Sequence, residues 1–153
     1  MHISVKNIVD LHENVNKKIK DLNYSNYKPQ IIAVSKTFSM DNILPLIDYG
    51  HEHFGENKVQ EALNKWSDIK KQKPHIKLHM IGRLQSNKVK QAVSIFDYIH
   101  SVDNNKLAIK ISEEQKKQNK NIKIFLQVNI GGEIQKSGSS LNDIEKLALE
   151  CKN

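Results

Sequence analysis

The chain has 153 residues, of which 38% are hydrophobic and 27% charged, with a formal net charge of +7. This length suits one core, so we treat 1–153 as a single domain. The sequence shows no run of about 18 apolar residues and no apolar signal segment, so we expect a cytoplasmic protein without a membrane span. Its one cysteine, Cys151, excludes an internal disulfide and a cysteine-based zinc site.

The positive charge first suggests a nucleic-acid partner, but its distribution argues against specific recognition. All basic residues except Arg83 are lysines, and they alternate with acidic residues along helical segments. Arginine is the residue that forms forked contacts to phosphates and bases. We therefore expect no specific nucleic-acid binding. Weak, salt-sensitive association through Lys116, Lys117 and Lys120 stays open.

Hydrophobic periodicity predicts strands and helices in alternation after one N-terminal helix. The N-terminal helix spans 3–22, and a short apolar run predicts a buried strand over 31–36. The remaining predicted elements are a helix closed by Gly50, a brief strand and loop over 53–57, a helix over 59–69, a strand over 77–81, a short helix beginning near Ser86, a strand over 96–102, a helix over 104–118, a strand over 122–130 and a helix over 141–151. This alternation indicates an α/β fold with a parallel sheet.

Polar residues follow the predicted strands, at the edge of a parallel sheet where functional loops gather. They are Lys36, Glu56 with Asn57, the segment 85–88, Asp103 and Asn129. Lys36 is the one with distinctive chemistry. An amine that is partly desolvated at a strand end loses its proton more easily and can form a Schiff base with an aldehyde. The alternative is a lysine that only ends the strand and points to water.

Four sequence blocks in order carry a family resemblance. They are Ala33-Val34-Ser35-Lys36-Thr37; Phe54-Gly55-Glu56-Asn57 with Gln60; His79-Met80-Ile81-Gly82 with Leu84-Gln85-Ser86-Asn87-Lys88; and Gln127-Val128-Asn129-Ile130 with Lys136-Ser137-Gly138. Each block alone is a weak signal, whereas the four in order are specific. Together they resemble the pyridoxal 5′-phosphate homeostasis protein family, whose fold is similar to the N-terminal barrel of alanine racemase.

The resemblance implies a TIM-type (β/α)8 barrel, of which this chain supplies about five strands, with an extra N-terminal helix. It implies that Lys36 forms the Schiff base with pyridoxal 5′-phosphate and that Asn57, His79 and Asn87 lie near the cofactor. Each of the three has a structural alternative: Asn57 as a helix N-cap, His79 as a hydrogen-bonded histidine of the barrel wall, and Asn87 as a helix-start residue. Lys136 matches a second family lysine and is otherwise a solvated loop residue.

The function implied by the resemblance is intracellular buffering of pyridoxal 5′-phosphate and its delivery to apo-enzymes, without catalytic turnover, by a protein that is monomeric at full length. The alternative on the same barrel is a racemase-like enzyme, which needs a second acid or base opposite Lys36. A third alternative, from a different class, is a basic RNA-binding module.

The resemblance also implies that the family's phosphate-binding residues follow Asn153. We therefore expect a fragment of a longer protein, with a truncated homologue as the alternative. Five strands of a barrel leave two sheet edges. At these edges we expect exposed apolar side chains, namely Ile31, Ile32, Phe125, Leu126 and Val128.

Overall fold

The computed structural model describes residues 1–24, 26–133 and 135–152. The elements in chain order are α1 (Ile3–Asp21), β1 (Ala33–Val34), α2 (Met40–Asp48), β2 (His53–Glu56), α3 (Val59–Gln72), β3 (Lys77–Met80), a 3-10 turn (Ser86–Lys88), α4 (Val89–Ile95), β4 (Tyr98–Val102), α5 (Asn105–Lys117), β5 (Lys123–Leu126) and α6 (Ile144–Glu150). None of the helices in these ranges is long and apolar enough to cross a bilayer.

The five strands form one parallel sheet in the order β1-β2-β3-β4-β5. Every strand pairs with its sequence neighbour, and the helices between them return the chain to the starting edge. This sequential order is that of a (β/α) barrel wall, which confirms the predicted α/β fold of TIM-barrel type.

The core lies between the sheet and the helices that cover its outer face. Phe54 of β2 packs on Trp66 of α3 with ring centroids 4.9 Å apart, and both side chains are fully buried. Because side chains alternate along a strand, Phe54 and Glu56 face the helices, whereas His53 and Gly55 face the opposite, inner side of the sheet. The inner face is the one that would line a barrel.

The edge strands are shorter than the sequence predicts. The strand predicted over 31–36 pairs with β2 only at Ala33 and Val34, and the strand predicted over 122–130 is paired over Lys123–Leu126. Beyond it, Val128 makes one isolated bridge to Ser139. A strand with a partner on one side only has fewer ladder bonds to extend its regular geometry, which accounts for the shortening.

Of the apolar residues expected to be exposed at the edges, only Phe125 is, with 51% of its surface accessible. Ile31, Ile32, Leu126 and Val128 are half-buried, so the expectation was wrong for these four. Val34 of β1, which the sequence did not single out, is 47% exposed. The exposed edge residues are therefore those on the inner face.

Helix ends follow the sequence signals in part. The helix α2 ends at Asp48, and Gly50 follows with φ +98°, as predicted for a glycine that closes a helix. The helix α3 has Lys58 as its N-cap residue. The structural alternative for Asn57, that of a helix N-cap, is therefore wrong.

Candidate functional site

Lys36 lies just beyond β1, on the inner face of the sheet. Val34 pairs with Gly55 of β2, and alternation places Val34 and Lys36 on one face and Ser35 on the other. The Lys36 side chain is exposed. This exposure agrees with the alternative of a lysine that ends the strand and points to water, because β1 is an edge strand of the sheet.

The residue before Lys36 is held by a buried network. Ser35 donates its hydroxyl to Glu56 Oε1 at 2.8 Å and its backbone N–H to the Gly55 carbonyl at 2.9 Å. Lys65 of α3 donates to the Ser35 carbonyl at 3.0 Å and to Glu56 Oε1 at 2.9 Å. Three separate bonds thus fix the backbone from which the Lys36 side chain departs.

Glu56 is the centre of that network. Its side chain is fully buried, and Oε1 also accepts a bond of 3.0 Å from Trp66 Nε1. Oε2 has no partner within the described ranges. A buried carboxylate is tolerated only when it is paired, so Lys65 and the two neutral donors stabilise its charge together.

The sequence identified Glu56 only as a polar strand-end residue and did not identify Lys65. The signal that could have found Lys65 is its helical spacing from Glu61, which places both on the face of α3 turned toward the strands. The two side chains lie 3.7 Å apart.

The residue after Lys36 is held as well. Thr37 donates its backbone N–H to Glu61 Oε1 at 3.2 Å and has φ +66°. A β-branched residue in this left-handed region is strained, so the surrounding contacts impose the conformation. The chain turns sharply at Thr37, and α3 holds the backbone on both sides of Lys36.

Asn57 lies directly after β2, level with Lys36 when the β1–β2 register is continued by two residues. Its Oδ1 is buried without a hydrogen-bond partner in the part of the chain that the structure describes. Gly82 packs against it: a Cβ at Gly82 would lie 2.3 Å from the Asn57 carbonyl oxygen. Asn57 is therefore held in place. Lys36 and Asn57 form one cross-strand row, and Asn57 Oδ1 is an unused hydrogen-bond acceptor in it.

His79 belongs to a chain of three histidines on the inner face. Its Nε2 lies 2.9 Å from His53 Nδ1, and its Nδ1 lies 2.9 Å from His100 Nε2. The Tyr98 ring stacks on it at 4.2 Å. Burial, together with the neighbouring His100 and His53, lowers the pKa of His79 to about 4, and burial also lowers the pKa values of His53 and His100.

Both ring nitrogens of His79 are thus occupied by other histidines, which supports its alternative role as a hydrogen-bonded residue of the wall. His79 pairs with Gly55, so it lies one row below Lys36 and Asn57. His53 and His100 were not predicted, because only the strand register brings the three rings together.

The remaining predicted residues lie apart from this row. Asn87 is exposed in the 3-10 turn that precedes α4, in agreement with its helix-start alternative. Lys136 is exposed in the loop after β5 and forms an ion pair of 2.5 Å with Glu133. Lys36 and Asn57 are therefore the two predicted residues that the fold brings level. Within the described ranges, no group of three His, Cys, Asp or Glu side chains is arranged so that it could hold a metal ion.

A parallel sheet in sequential order, with a lysine at the carboxyl end of its first strand whose neighbouring backbone is held by hydrogen bonds, defines an α/β-barrel protein with a candidate cofactor site. The chain belongs to the family of the alanine racemase N-terminal domain, whose model matches residues 9–153.

The comparisons with known proteins also confirm the resemblance seen in the four sequence blocks. The chain is 36% identical over 142 residues to a pyridoxal phosphate homeostasis protein of Buchnera aphidicola, covering 93% of this chain and 62% of that protein. The structure of PipY from Synechococcus elongatus, solved with PLP (pyridoxal 5′-phosphate) bound, matches with a TM-score of 0.71 and 32% identity over 88% of this chain and 62% of PipY.

A structure of an unknown protein from Bifidobacterium adolescentis matches with a TM-score of 0.79 and 26% identity, over 99% of this chain and 66% of that one. The chain thus spans less than two thirds of the length of both the Buchnera relative and PipY.

Proposed function

We propose that this chain binds pyridoxal 5′-phosphate through Lys36 and belongs to a protein that buffers the cofactor and delivers it to apo-enzymes. The observation that carries the proposal is the fixed position of Lys36. The backbone on both sides of it is bonded to β2 and α3, while its side chain is exposed on the inner face.

The comparisons support the choice of cofactor. The Buchnera relative is named for pyridoxal phosphate homeostasis, and PipY was solved with PLP bound. In this chain, the unpartnered Oδ1 of Asn57 fits a polar ligand in the same row. The residues present are thus compatible with the group.

Each residue of the site has a defined task in this proposal. PLP supplies an aldehyde carbon with which a primary amine condenses, releasing water. Lys36 supplies the amine. Ser35, Glu56 and Lys65 hold the backbone beside Lys36. Asn57 accepts a hydrogen bond from the bound ligand. Because the backbone beside Lys36 is already held, less conformational entropy is lost when Lys36 binds the cofactor.

A racemase-like enzyme on the same barrel is the second candidate, and one observation counts against it. Racemisation needs an acid or base that can exchange a proton on the face opposite Lys36. His79 faces inward, but both its nitrogens are engaged, and its low pKa leaves it neutral at pH 7. We therefore propose binding without turnover.

Trapping of the cofactor link tests the lysine assignment. Addition of PLP to the chain should give a visible absorbance band, and borohydride reduction should fix the cofactor on the peptide that contains Lys36. Lys36→Ala should abolish the trapped product, whereas Lys136→Ala should preserve it. Retention of the full product in Lys36→Ala and its loss in Lys136→Ala would move the site to Lys136.

A turnover measurement separates the two functions. With PLP present, the chain should racemise alanine far more slowly than ordinary enzymes, whose rates are on the order of 1 per second or more. A rate in that range, lost in Lys36→Ala, would establish the racemase alternative.

A further inference from the structure

Exposed lysines from α4, α5 and β5 converge where β5 begins. Two of them end α5, one lies in the loop after it, one is the first residue of β5, and one comes from the start of α4. Gln118 Nε2 joins the two helices by donating to the Lys90 carbonyl at 2.9 Å. Because the strands are parallel, the start of β5 lies at the end of the sheet opposite Lys36. We call this surface the lysine rim, which comprises Lys90, Lys116, Lys117, Lys120 and Lys123.

Positive charge exceeds negative charge on the lysine rim. Of its five lysines, only Lys117 forms a salt bridge with a described residue, at 3.1 Å from Glu114 Oε1. The bond to Lys117 is the main cause that lowers the pKa of Glu114, and Gln118 and Lys90 lower it further. The one other carboxylate of the same turn is Glu113, which is exposed. The remaining ammonium groups therefore face water without an acidic partner among the described residues.

These lysines are not needed to close α5. Lysines often end a helix because their side chains bond its last carbonyls. Here, backbone N–H groups take that role: Gln118 donates to the Glu114 carbonyl at 3.0 Å, and Lys120 donates to the Gln115 carbonyl at 2.8 Å. Asn119, with φ +50°, makes the turn that permits these bonds. The lysine side chains thus remain available to a partner.

The side chains between the lysines are polar and their backbone is held. Over residues 116–123 every residue except the buried Ile122 is a lysine, an asparagine or a glutamine. The Ile122 N–H donates to Gln115 Oε1 at 3.0 Å, which fixes the loop against α5. Lysine, asparagine and glutamine side chains all donate to phosphate oxygens. An amphipathic segment that enters a bilayer needs large apolar side chains instead. This composition favours a nucleic-acid backbone over a lipid surface.

We infer that the lysine rim binds the phosphate backbone of nucleic acid without sequence preference. A polymer with closely spaced phosphates engages several lysines at once and releases the counterions that the phosphates had condensed. Base recognition is not part of the inference, because Arg83 is the one arginine of the chain and arginine makes the most common specific base contact. The structure adds Lys90 and Lys123 to the lysines that the sequence had singled out for weak, salt-sensitive association.

Fluorescence anisotropy with a labelled single-stranded oligonucleotide tests this inference, at a series of salt concentrations and without PLP. The logarithm of the affinity should fall linearly with the logarithm of the salt concentration, with a slope of about −3 if about four phosphates are neutralised. Two oligonucleotides of unrelated sequence should bind equally. Vesicles that contain phosphatidylserine, and polyglutamate, should bind more weakly at the same ionic strength. Because no PLP is present, the outcome is independent of whether Lys36 binds the cofactor.

Four variants separate the lysine rim from the net charge of the chain. Combined substitution of its three lysines at 116, 117 and 120 by Gln should weaken binding more than about tenfold and make the salt slope shallower by about 2. Substitution of the same three by Arg should preserve binding, since the charge is kept. The matched control replaces Lys17, Lys18 and Lys20 by Gln at the exposed end of α1 and should weaken binding less than about twofold. Glu114→Gln should strengthen binding about twofold by removing the opposing charge.

Equal losses in the two Gln variants would assign the binding to net charge and overturn the inference. It would also be overturned by the absence of binding at low salt, or by vesicles or polyglutamate that bind at least as tightly as the oligonucleotides. If the Gln variant of the rim does not fold, Glu114→Gln keeps the test decisive, because tighter binding is expected only of a polyanion at this surface. Weaker or unchanged binding in Glu114→Gln would contradict the inference.

Discussion

The three central strands and the two edge strands of this sheet differ sharply. Phe54, Leu78 and Ile99, one from each central strand, are fully buried. By contrast, β1 pairs over two residues only, and the inner-face residues Val34 and Phe125 of the edge strands are about half exposed. Stability therefore resides in the centre of the sheet, while the proposed cofactor lysine lies at an edge.

One network joins these two regions. Glu56 belongs to a central strand, yet it bonds Ser35 beside Lys36. The backbone beside Lys36, at the sheet edge, is thus held in place by a buried carboxylate of a central strand. Substitutions can test this dependence, beginning with Glu56.

Glu56→Ala should lower the free energy of unfolding by about 3 to 5 kcal/mol, because it leaves the Lys65 ammonium without its buried partner. Urea denaturation measures this loss. Asp68→Ala is the matched control, since it removes an exposed carboxylate of α3 that pairs with Lys71 and should cost less than about 1 kcal/mol. Equal losses in the two variants would show that the Glu56 network is not a principal support.

Leu78→Ala should lower the free energy of unfolding by about 3 kcal/mol, the usual cost of a cavity in a packed core. Val34→Ala, at the edge, should cost less than about 1 kcal/mol because its side chain is 47% exposed. Chemical denaturation of both variants measures the difference. A Val34→Ala loss as large as that of Leu78→Ala would refute the contrast between edge and centre.

Acid should lower the free energy of unfolding through His79, which lies in the central strand β3. Its pKa is lowered from 6.5 to about 4 in the fold, so the unfolded chain binds the proton first as the pH falls. The favourable contribution is complete above pH 6.5 and declines by about 2 to 3 kcal/mol down to pH 4.

Denaturation at a series of pH values measures this decline. In His79→Gln the slope between these pH values should flatten, whereas substitution of the exposed His12 by Gln should leave it unchanged. An unaltered slope in His79→Gln would assign the acid sensitivity to other groups.

The smallest expected effect concerns the strained turn after Lys36. Thr37→Gly should be more stable than Thr37→Ala by about 1 kcal/mol, because glycine adopts φ +66° without a Cβ penalty. Both variants lack the Thr side chain and retain the backbone bond to Glu61. Thermal unfolding compares them, and a more stable Ala variant would show that the positive φ is not strained.

The sequence predicted what depends on local pattern. The strand and helix alternation, the closing role of Gly50 and the position of Lys36 at a strand end follow from periodicity and residue type. The lengths of β1 and β5 could not be predicted in this way, because a strand's extent depends on partners that are distant in sequence.

The same limit applies to the sites. Glu56 and Lys65 are nine residues apart, and only the packing of α3 against β2 brings their side chains together. The exposure of Lys36 could not be inferred either, since it depends on what covers the sheet edge rather than on the residues beside it.

The histidine chain across the wall has a consequence for proton position. A neutral imidazole carries one N–H, so the two bonds among His53, His79 and His100 require all three tautomers to agree. The N–H groups point either from β2 toward β4 or from β4 toward β2. A proton that arrives at His100 Nδ1 can therefore shift each bond in turn and release a proton from His53 Nε2, two strands away, without moving the backbone.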